Sequence, residues 1–532
     1  MAYRRCFAYL IFAALAAFAQ PRIAPDGVRN SASYAPAGFL DSGIAQGSLF
    51  VIQGDGLGPD ELQVAGLPLP TSLAGVSVSV SAADGAHAAY LYYVSAHAIA
   101  ALLPSGTPLG AATVSVTYAG RTGAPASIVV GSRKVGIFTL NEGGSGPAVA
   151  QNFKTATDQL LNTLVTPALP GQLVILWATG LGAVTGDEAS TPQVGDLGQI
   201  TLYVGGKQAV VRYAGRSGCC VGVDQIIFEV PPAVEGCYVP VIAVTGSYAV
   251  SNLIRNVPMN GPSSNFATIS VSSNGVCSDP TGLTGDELQR LQTAGAARLG
   301  ILEFDGNAQG LGADSLTARF GRADFLTFLR SRGIFGLPVP GSCVAYPAGP
   351  DPAPSLFTPL DAGPGLTLAG PGGNRQLPRG SDGSYAAAPS NGTLASGTYS
   401  IDNGGGGADV GGFRSTFNVP PAVQWLNPNL NGTNVSPQIR WSGGDPNGYV
   451  LITSVGHNSL AASTTVCIES ASAGTFQVPS YAYALNGADG LFGAAPNTVS
   501  IGSAAPPVRF TAPGLDLGFI FATLFGPGTY VP

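Results

Sequence analysis

Along most of the chain, apolar and polar residues alternate in short runs that glycine and proline interrupt. Val76-Ser77-Val78-Ser79-Val80 shows it most clearly: every second side chain points to one side, so the run predicts a strand with one buried face. Similar Val/Ile/Thr/Tyr runs recur between Gly, Pro and Asn turns, and together they predict many short strands. The runs also repeat. Gln46-Gly47-Ser48-Leu49-Phe50-Val51-Ile52 leads to Gly56-Leu57-Gly58, and Pro170-Gly171-Gln172-Leu173-Val174-Ile175-Leu176 leads to Gly180-Leu181-Gly182 at the same spacing. Ala98 to Pro104 is then matched by Gln225 to Pro231, and Thr113-Val114-Ser115-Val116-Thr117 by Val239-Pro240-Val241-Ile242-Ala243. Three matched blocks in one order define two copies of one unit. In each copy glycine permits a turn that a side chain would forbid, with Gly180 expected at positive φ. Pro104 and Pro231 close a strand, because proline donates nothing to a ladder. Seven or so short strands in about 100 residues make a β-sandwich.

This pattern resembles the IPT/TIG group of immunoglobulin-like domains. A narrower likeness lies in Gly136-Ile137-Phe138-Thr139, Gly146-Pro147-Ala148-Val149-Ala150-Gln151-Asn152, Leu176-Trp177-Ala178-Thr179-Gly180-Leu181-Gly182 and the stretch from Tyr213 through Cys219-Cys220 to Ile226. These motifs are similar to the Solibacter-type C-terminal domain of secreted acidobacterial proteins, a family without an established activity. The likeness covers residues 26–279. It implies two immunoglobulin-like domains, 26–135 and 136–279, with cysteines only in the second. The family usually carries this module at the chain's end, whereas here a long segment follows it.

Residues 280–335 change character. Asp286-Glu287-Leu288-Gln289-Arg290-Leu291-Gln292 predicts a short helix capped by Thr284 or Asp286, and Phe325, Leu326, Phe328 and Leu329 predict a second. This stretch therefore reads as a short helical connector. Beyond it, over 336–532, strands are predicted at 366–368, 397–401, 439–441, 449–452 and 475–479, with a glycine-rich loop from Gly404 to Gly412. The expected fold is all-β: tandem immunoglobulin-like sandwiches, a short helical segment and a further β-sandwich module.

Composition narrows the function. Charged residues are only 10% of the chain and the net charge is −7, with no basic stripe to displace counterions, so nucleic acid is not an expected partner. Arg4 and Arg5 precede an apolar stretch from Cys6 to Phe18, and Ala17-Phe18-Ala19 fits signal peptidase. Residues 1–19 therefore read as a secretory signal cut before Gln20. No later apolar run reaches the roughly 18 residues of a membrane span. The expected location is secreted or cell-surface. Cys219, Cys220, Cys237, Cys277, Cys343 and Cys467 remain after cleavage, and an even count in an exported chain predicts disulfides. Two bridges are expected within the first four and one between Cys343 and Cys467; which residues of the first group pair is open.

Candidate chemistry is sparse. His87, His97 and His457 are the three histidines; a pairing of His457 with Ser459 is conceivable, but neighbours in sequence rarely form a dyad. No G-x-S-x-G, H-E-x-x-H or P-loop motif occurs. Asp361, Asp402, Asp409, Asp445 and Asp516 could supply a paired-carboxylate site, but Asp also favours turns. Gly404 to Asp409 matches one copy of a calcium-binding repeat, which needs stacked copies to build its cage. No cofactor and no metal are expected. Trp425 and Trp441 could form a sugar-stacking platform, although Trp441 in its strand reads first as core. Trp177 is expected against the Cys219–Cys220 region. The leading expectation is a non-catalytic binding or scaffold protein whose ligand is a polysaccharide or another surface protein. A polysaccharide-active hydrolase with its site in 343–532, and a purely structural spacer, are the alternatives.

Overall fold

The computed structural model describes residues 20–532 except 38, 40, 191–194, 246, 249–258, 261–263, 309–312, 348–356, 429–436, 458–461, 480, 483–496, 527–528 and 532. The predicted signal segment 1–19 lies outside the described residues. Strands dominate, as the period-two pattern requires, and the fold is all-β, with the short α-helices Gly285–Ala294 and Phe325–Leu329 among the described residues.

The first module is a two-sheet sandwich. One sheet runs Arg22–Asn30, Leu49–Asp55, Ala98–Leu102, Tyr90–Val94, Gln63–Val64; the other runs Ile44–Ala45, Ala126–Gly131, Gly110–Tyr118, Val76–Ala82, Ser72–Leu73. The second module repeats this order. Ala150–Thr155, Leu173–Thr179, Asp224–Glu229, Val210–Arg216 and Gly195–Asp196 form its first sheet. Gly146–Pro147, Ala267–Val271, Gly236–Val244, Thr201–Val204 and Lys207–Gln208 form its second. Even the short parallel edge pairing recurs, Ile44 beside Val130 and Gly146 beside Ala267. The repeated glycines serve turns: Gly180 sits at φ +95°, where an added Cβ would collide with the Lys134 carbonyl.

The copies differ at one strand. In Gly110–Tyr118 the residues alternate, with Val114 and Val116 inside and Ser115 facing out half-buried. In Gly236–Val244 all nine residues are buried. Val239, Val241 and Ala243 enter the module's own core, whereas Ile242 and Val244 pack with Val344, Ile452 and Trp441 from the C-terminal region. The third repeat block is therefore aligned one position out of phase: inward Val116 corresponds to an inward residue, not to outward Ile242.

Downstream, both predicted helices are present. Gly285–Ala294 starts with a capping box, Thr284 and Glu287 bonding reciprocally, and Phe325–Leu329 is capped by Asp324. The connector reading of 280–335 is corrected, because between the helices lies an antiparallel hairpin of Ala296–Asn307 and Ala313–Asp324. The hairpin belongs to a twelve-stranded sheet that also takes in Leu517–Phe525, Asn497–Ala504, Tyr449–His457, Ala462–Ser470 and Ser342–Pro347. Leu302, Phe304, Leu316 and Phe320 face a four-stranded sheet built around Leu368, Ile401 and Phe417. Further along, Ile452 and Ile501 pack with Ile439, Trp441 and Phe476 of a three-stranded sheet. Ala297 and Leu299, in the same strand as Leu302, pack instead with Leu288, Leu291 and Phe328 of the helices. The buried side of Ala296–Asn307 thus switches between Leu299 and Leu302, so its period of two slips there, whereas Ala313–Asp324 keeps exposed Ser315 and Arg319 alternating with buried Leu316, Ala318 and Phe320.

Candidate functional site

A buried polar cluster sits where the first two modules meet. Val210–Arg216 and Asp224–Glu229 form a hairpin, and its loop, residues 217–223, reaches across to the first module. Arg216 and Asp224 flank that loop as a buried ion pair with side chains 4% and 0% exposed. The Asp224 carboxylate also accepts from the Leu181 amide at 2.8 Å. Arg216 donates to the Gly182 carbonyl at 2.9 Å and to the Gly47 carbonyl of the first module. Two repeat glycines thus serve one arginine, and a Cβ on Gly47 would meet its Nη2 at 2.6 Å. Burial pushes the Asp224 carboxyl up to about 6, against the pull of Arg216 and of the Leu181 and Gly180 amides. Removing either partner leaves the other buried out of water without its counter-group.

The loop adds further bonds. Tyr92 of the first module donates its hydroxyl to the Val221 carbonyl. Thr179 donates to Gly222 O at 2.8 Å while its oxygen accepts from the Leu49 amide at 3.0 Å. Gly222 lies against Leu49 and Leu102, with Leu69, Ala189 and Val221 completing the apolar seam. Ser105 binds Glu188 through both its amide, at 2.7 Å, and its hydroxyl, at 2.5 Å. Trp177, expected against this loop, instead donates its indole N–H to Gln151 at 3.0 Å; the strand's contact with the loop is Thr179.

Cysteine pairing completes the picture. The bridges are Cys219–Cys220, Cys237–Cys277 and Cys343–Cys467. The second and third close loops of 40 and 124 residues, which on chain-entropy grounds contribute about 4 and about 5 kcal/mol. Cys343 and Cys467 are directly opposite in adjacent strands. Cys219–Cys220 joins neighbours in sequence and cross-links nothing distant.

The other sequence candidates are dispersed. Trp441 is 3% exposed and donates its indole N–H to Ala471 O, so it is core. Trp425 lies opposite it across the strand pair, half-buried, with its indole N–H on Asn427. The two rings form no open platform. His87 pairs with Asp84 at 2.7 Å, and exposed His97 lies 3.3 Å from Gly54 O and 3.5 Å from Asp55. His457 ends a strand, and Ser459 lies outside the described residues. The five aspartates serve turns and loops. Asp361, Asp402 and Asp445 accept from amides two residues on, Asp409 accepts from the Asp361 amide, and Asp516 from the Arg298 amide. Among the described residues no group of three His, Cys, Asp or Glu side chains could hold a metal ion.

One carboxylate that sequence reasoning missed is Asp305, in the hairpin that had been taken for connector. Burial, then the charge of nearby Glu303, pushes it up to about 6, and the Thr523 hydroxyl pulls the other way. Glu303 itself is held by Arg319 at 3.0 Å. Where all three modules meet, a cavity of about 20 Å³ lined by Ser33, Phe39, Asp41, Asn265, Phe266 and Tyr346 has room for a water molecule rather than a ligand.

No family model matches the sequence, and no curated protein does. Among solved structures, domains 5–6 of the S-layer protein SbsC align with 48% of this chain and 99% of their own, at 10% identity and a TM-score of 0.17. The Bacteroides ovatus mixed-linkage glucan utilization locus protein SGBP-B, solved with a mixed-linkage heptasaccharide, aligns with 79% of this chain and 90% of its own, at 9% identity and 0.15. Immunoglobulin domains 1–4 of Sidekick-1 align with 91% and 94%, at 9% identity and 0.12. At such scores nothing about ligand or partner carries over to this chain.

Arg216→Met should lower stability by about 3–5 kcal/mol in urea unfolding, because Asp224 stays buried without its counter-charge; a loss under about 1 kcal/mol contradicts the reading. Asp305 has a folded pKa raised above its unfolded value of 3.8, so its contribution is most favourable below that value and is lost as pH rises through about 6. Asp305→Asn should therefore gain about 1–3 kcal/mol at pH 7 and flatten the stability profile between about pH 4 and 6. Matching wild-type and variant profiles across that window would refute it.

Proposed function

We propose that this is a non-catalytic protein of the cell exterior, a scaffold that presents outer sheet faces and loops to a polysaccharide or to another surface protein. The observation that carries the reading is the continuity of the buried seams. Arg216 ties the first two modules, and the outer face of Gly236–Val244 ties the second to the third. Tyr203 and Phe266 of the second module meet Tyr481 of the third, with ring centroids 4.6 and 6.1 Å apart. Modules that share apolar clusters are held at fixed angles, which suits a scaffold better than a flexible string of domains. The secretory signal read in residues 1–19, three disulfides and the likeness of 26–279 to the Solibacter-type domain support placement outside the cell. A surface poor in charge suits a neutral, hydrogen-bonding partner.

The hydrolase alternative for 343–532 loses support from the aspartates, each occupied with backbone amides. Incubation of the full-length protein with a panel of insoluble and soluble polysaccharides separates the readings. The expected outcome is retention on at least one polymer with no release of reducing ends. Release of reducing ends would overturn the proposal in favour of an enzyme, and neither retention nor release, with no binding to purified envelope proteins, would leave a spacer.

A further inference from the structure

The three disulfides differ in what they can do. Cys237, Cys277, Cys343 and Cys467 are at most 1% exposed, inside apolar clusters. Gly218, Cys219 and Cys220 are exposed at the tip of their loop. Thiol–disulfide exchange requires an attacking thiolate to reach a sulfur, so access alone sets this bridge apart. It also braces no distant segments, so opening it leaves the sandwich fold standing.

Its neighbours in sequence, however, hold the seam. Val221 and Gly222 are buried immediately after Cys220, carrying the bonds from Tyr92 and Thr179 and the contact with Leu49 and Leu102. Arg216 and Asp224 stand at the loop's two ends. A bridge between adjacent residues removes torsional freedom from the Cys219–Cys220 unit, and so fixes the direction in which the chain enters Val221. Ser217, fully buried, places its hydroxyl 3.6 Å from Cys219 Sγ and 3.3 Å from both the amide nitrogen and the carbonyl oxygen of Cys220.

We propose that Cys219–Cys220 is a two-electron thiol–disulfide exchange site whose substrate is an external dithiol, and that its reduction loosens the seam between the first two modules. A thiolate of the dithiol attacks Cys220 Sγ, the S–S bond breaks, and Cys219 leaves as a thiolate that can accept the Ser217 O–H. The dithiol's second sulfur, deprotonated, then displaces Cys220 from the mixed disulfide. The dithiol is oxidised to its cyclic disulfide, and both cysteines end as thiols after taking up the two protons it released. With the bridge open, the 219–220 unit regains rotation and Val221 and Gly222 are held less firmly against Tyr92, Leu49 and Leu102.

The test uses the folded full-length protein, without denaturant, treated briefly with dithiothreitol and then alkylated. Peptide mapping should find Cys219 and Cys220 labelled and the other four cysteines unlabelled. Hydrogen exchange should then quicken by about tenfold or more at residues 47–51, 179–182 and 221–224 and stay unchanged in the third module. Ser217→Ala should slow the reduction while leaving the slower-reacting bridges untouched. Failure of Cys219–Cys220 to reduce ahead of the buried bridges would overturn the exchange site. Full labelling with unchanged exchange at the seam would overturn the coupling.

Discussion

The architecture rests on a strand that has no solvent face. A strand in a two-layer sandwich ordinarily gives one side to the core and the other to water. Gly236–Val244 gives both sides to protein, since Tyr238, Ile242 and Val244 are as buried as Val239 and Val241. The second module therefore requires a cover, and the third module supplies it. Val344, Ile452 and Trp441 pack with Ile242 and Val244, Val339 enters the second module's core, and Tyr238 joins a cluster with Phe328 and Ile334. The Cys237–Cys277 bridge, in that same cluster, pins the end of the strand to the chain leaving the module.

The other seam joins an apolar cluster around Leu49, Leu102 and Val221 to a set of directional polar bonds. Between the first two modules, Arg216 spends its donors on carbonyls from both, and Asp224 anchors it from beneath. Such a pair adds little net stability over an apolar replacement, but it is specific: its directional bonds fix where Gly47 and Gly182 sit. Apolar cover fixes the second seam by area, and directional bonding fixes the first by geometry. The exposed Cys219–Cys220 loop lies on this first seam, where a local change in backbone freedom reaches both the bonds from Tyr92 and Thr179 and the contact with Leu49 and Leu102.

Much of this was legible in the pattern of the chain. Alternation located the strands of both sandwiches, the matched glycines located the repeat, and Thr284, one of two cap candidates with Asp286, marked a helix start. What was missed has two physical causes. Cys237 to Val244 is covered on both faces and loses its alternation, and in Ala296–Asn307 the buried side switches between Leu299 and Leu302, which breaks the period of two. Arg216 and Asp224 stood within the quoted motif, yet their roles depend on a carbonyl far away in sequence, at Gly47. Trp441 was read in part as a candidate sugar platform because a strand tryptophan looks the same whether its far face meets a ligand or a third sheet.

The account turns on the burial of the outer face of Gly236–Val244, and urea unfolding of two full-length variants tests it most directly. Ile242→Asp places a charge in the interface between modules and should cost at least about 3 kcal/mol, whereas Ser115→Asp, facing outward on the equivalent strand of the first module, should cost under about 1 kcal/mol. If Ile242→Asp were tolerated as well as Ser115→Asp, the third module would not be a required cover, and the welded scaffold would give way to independent domains.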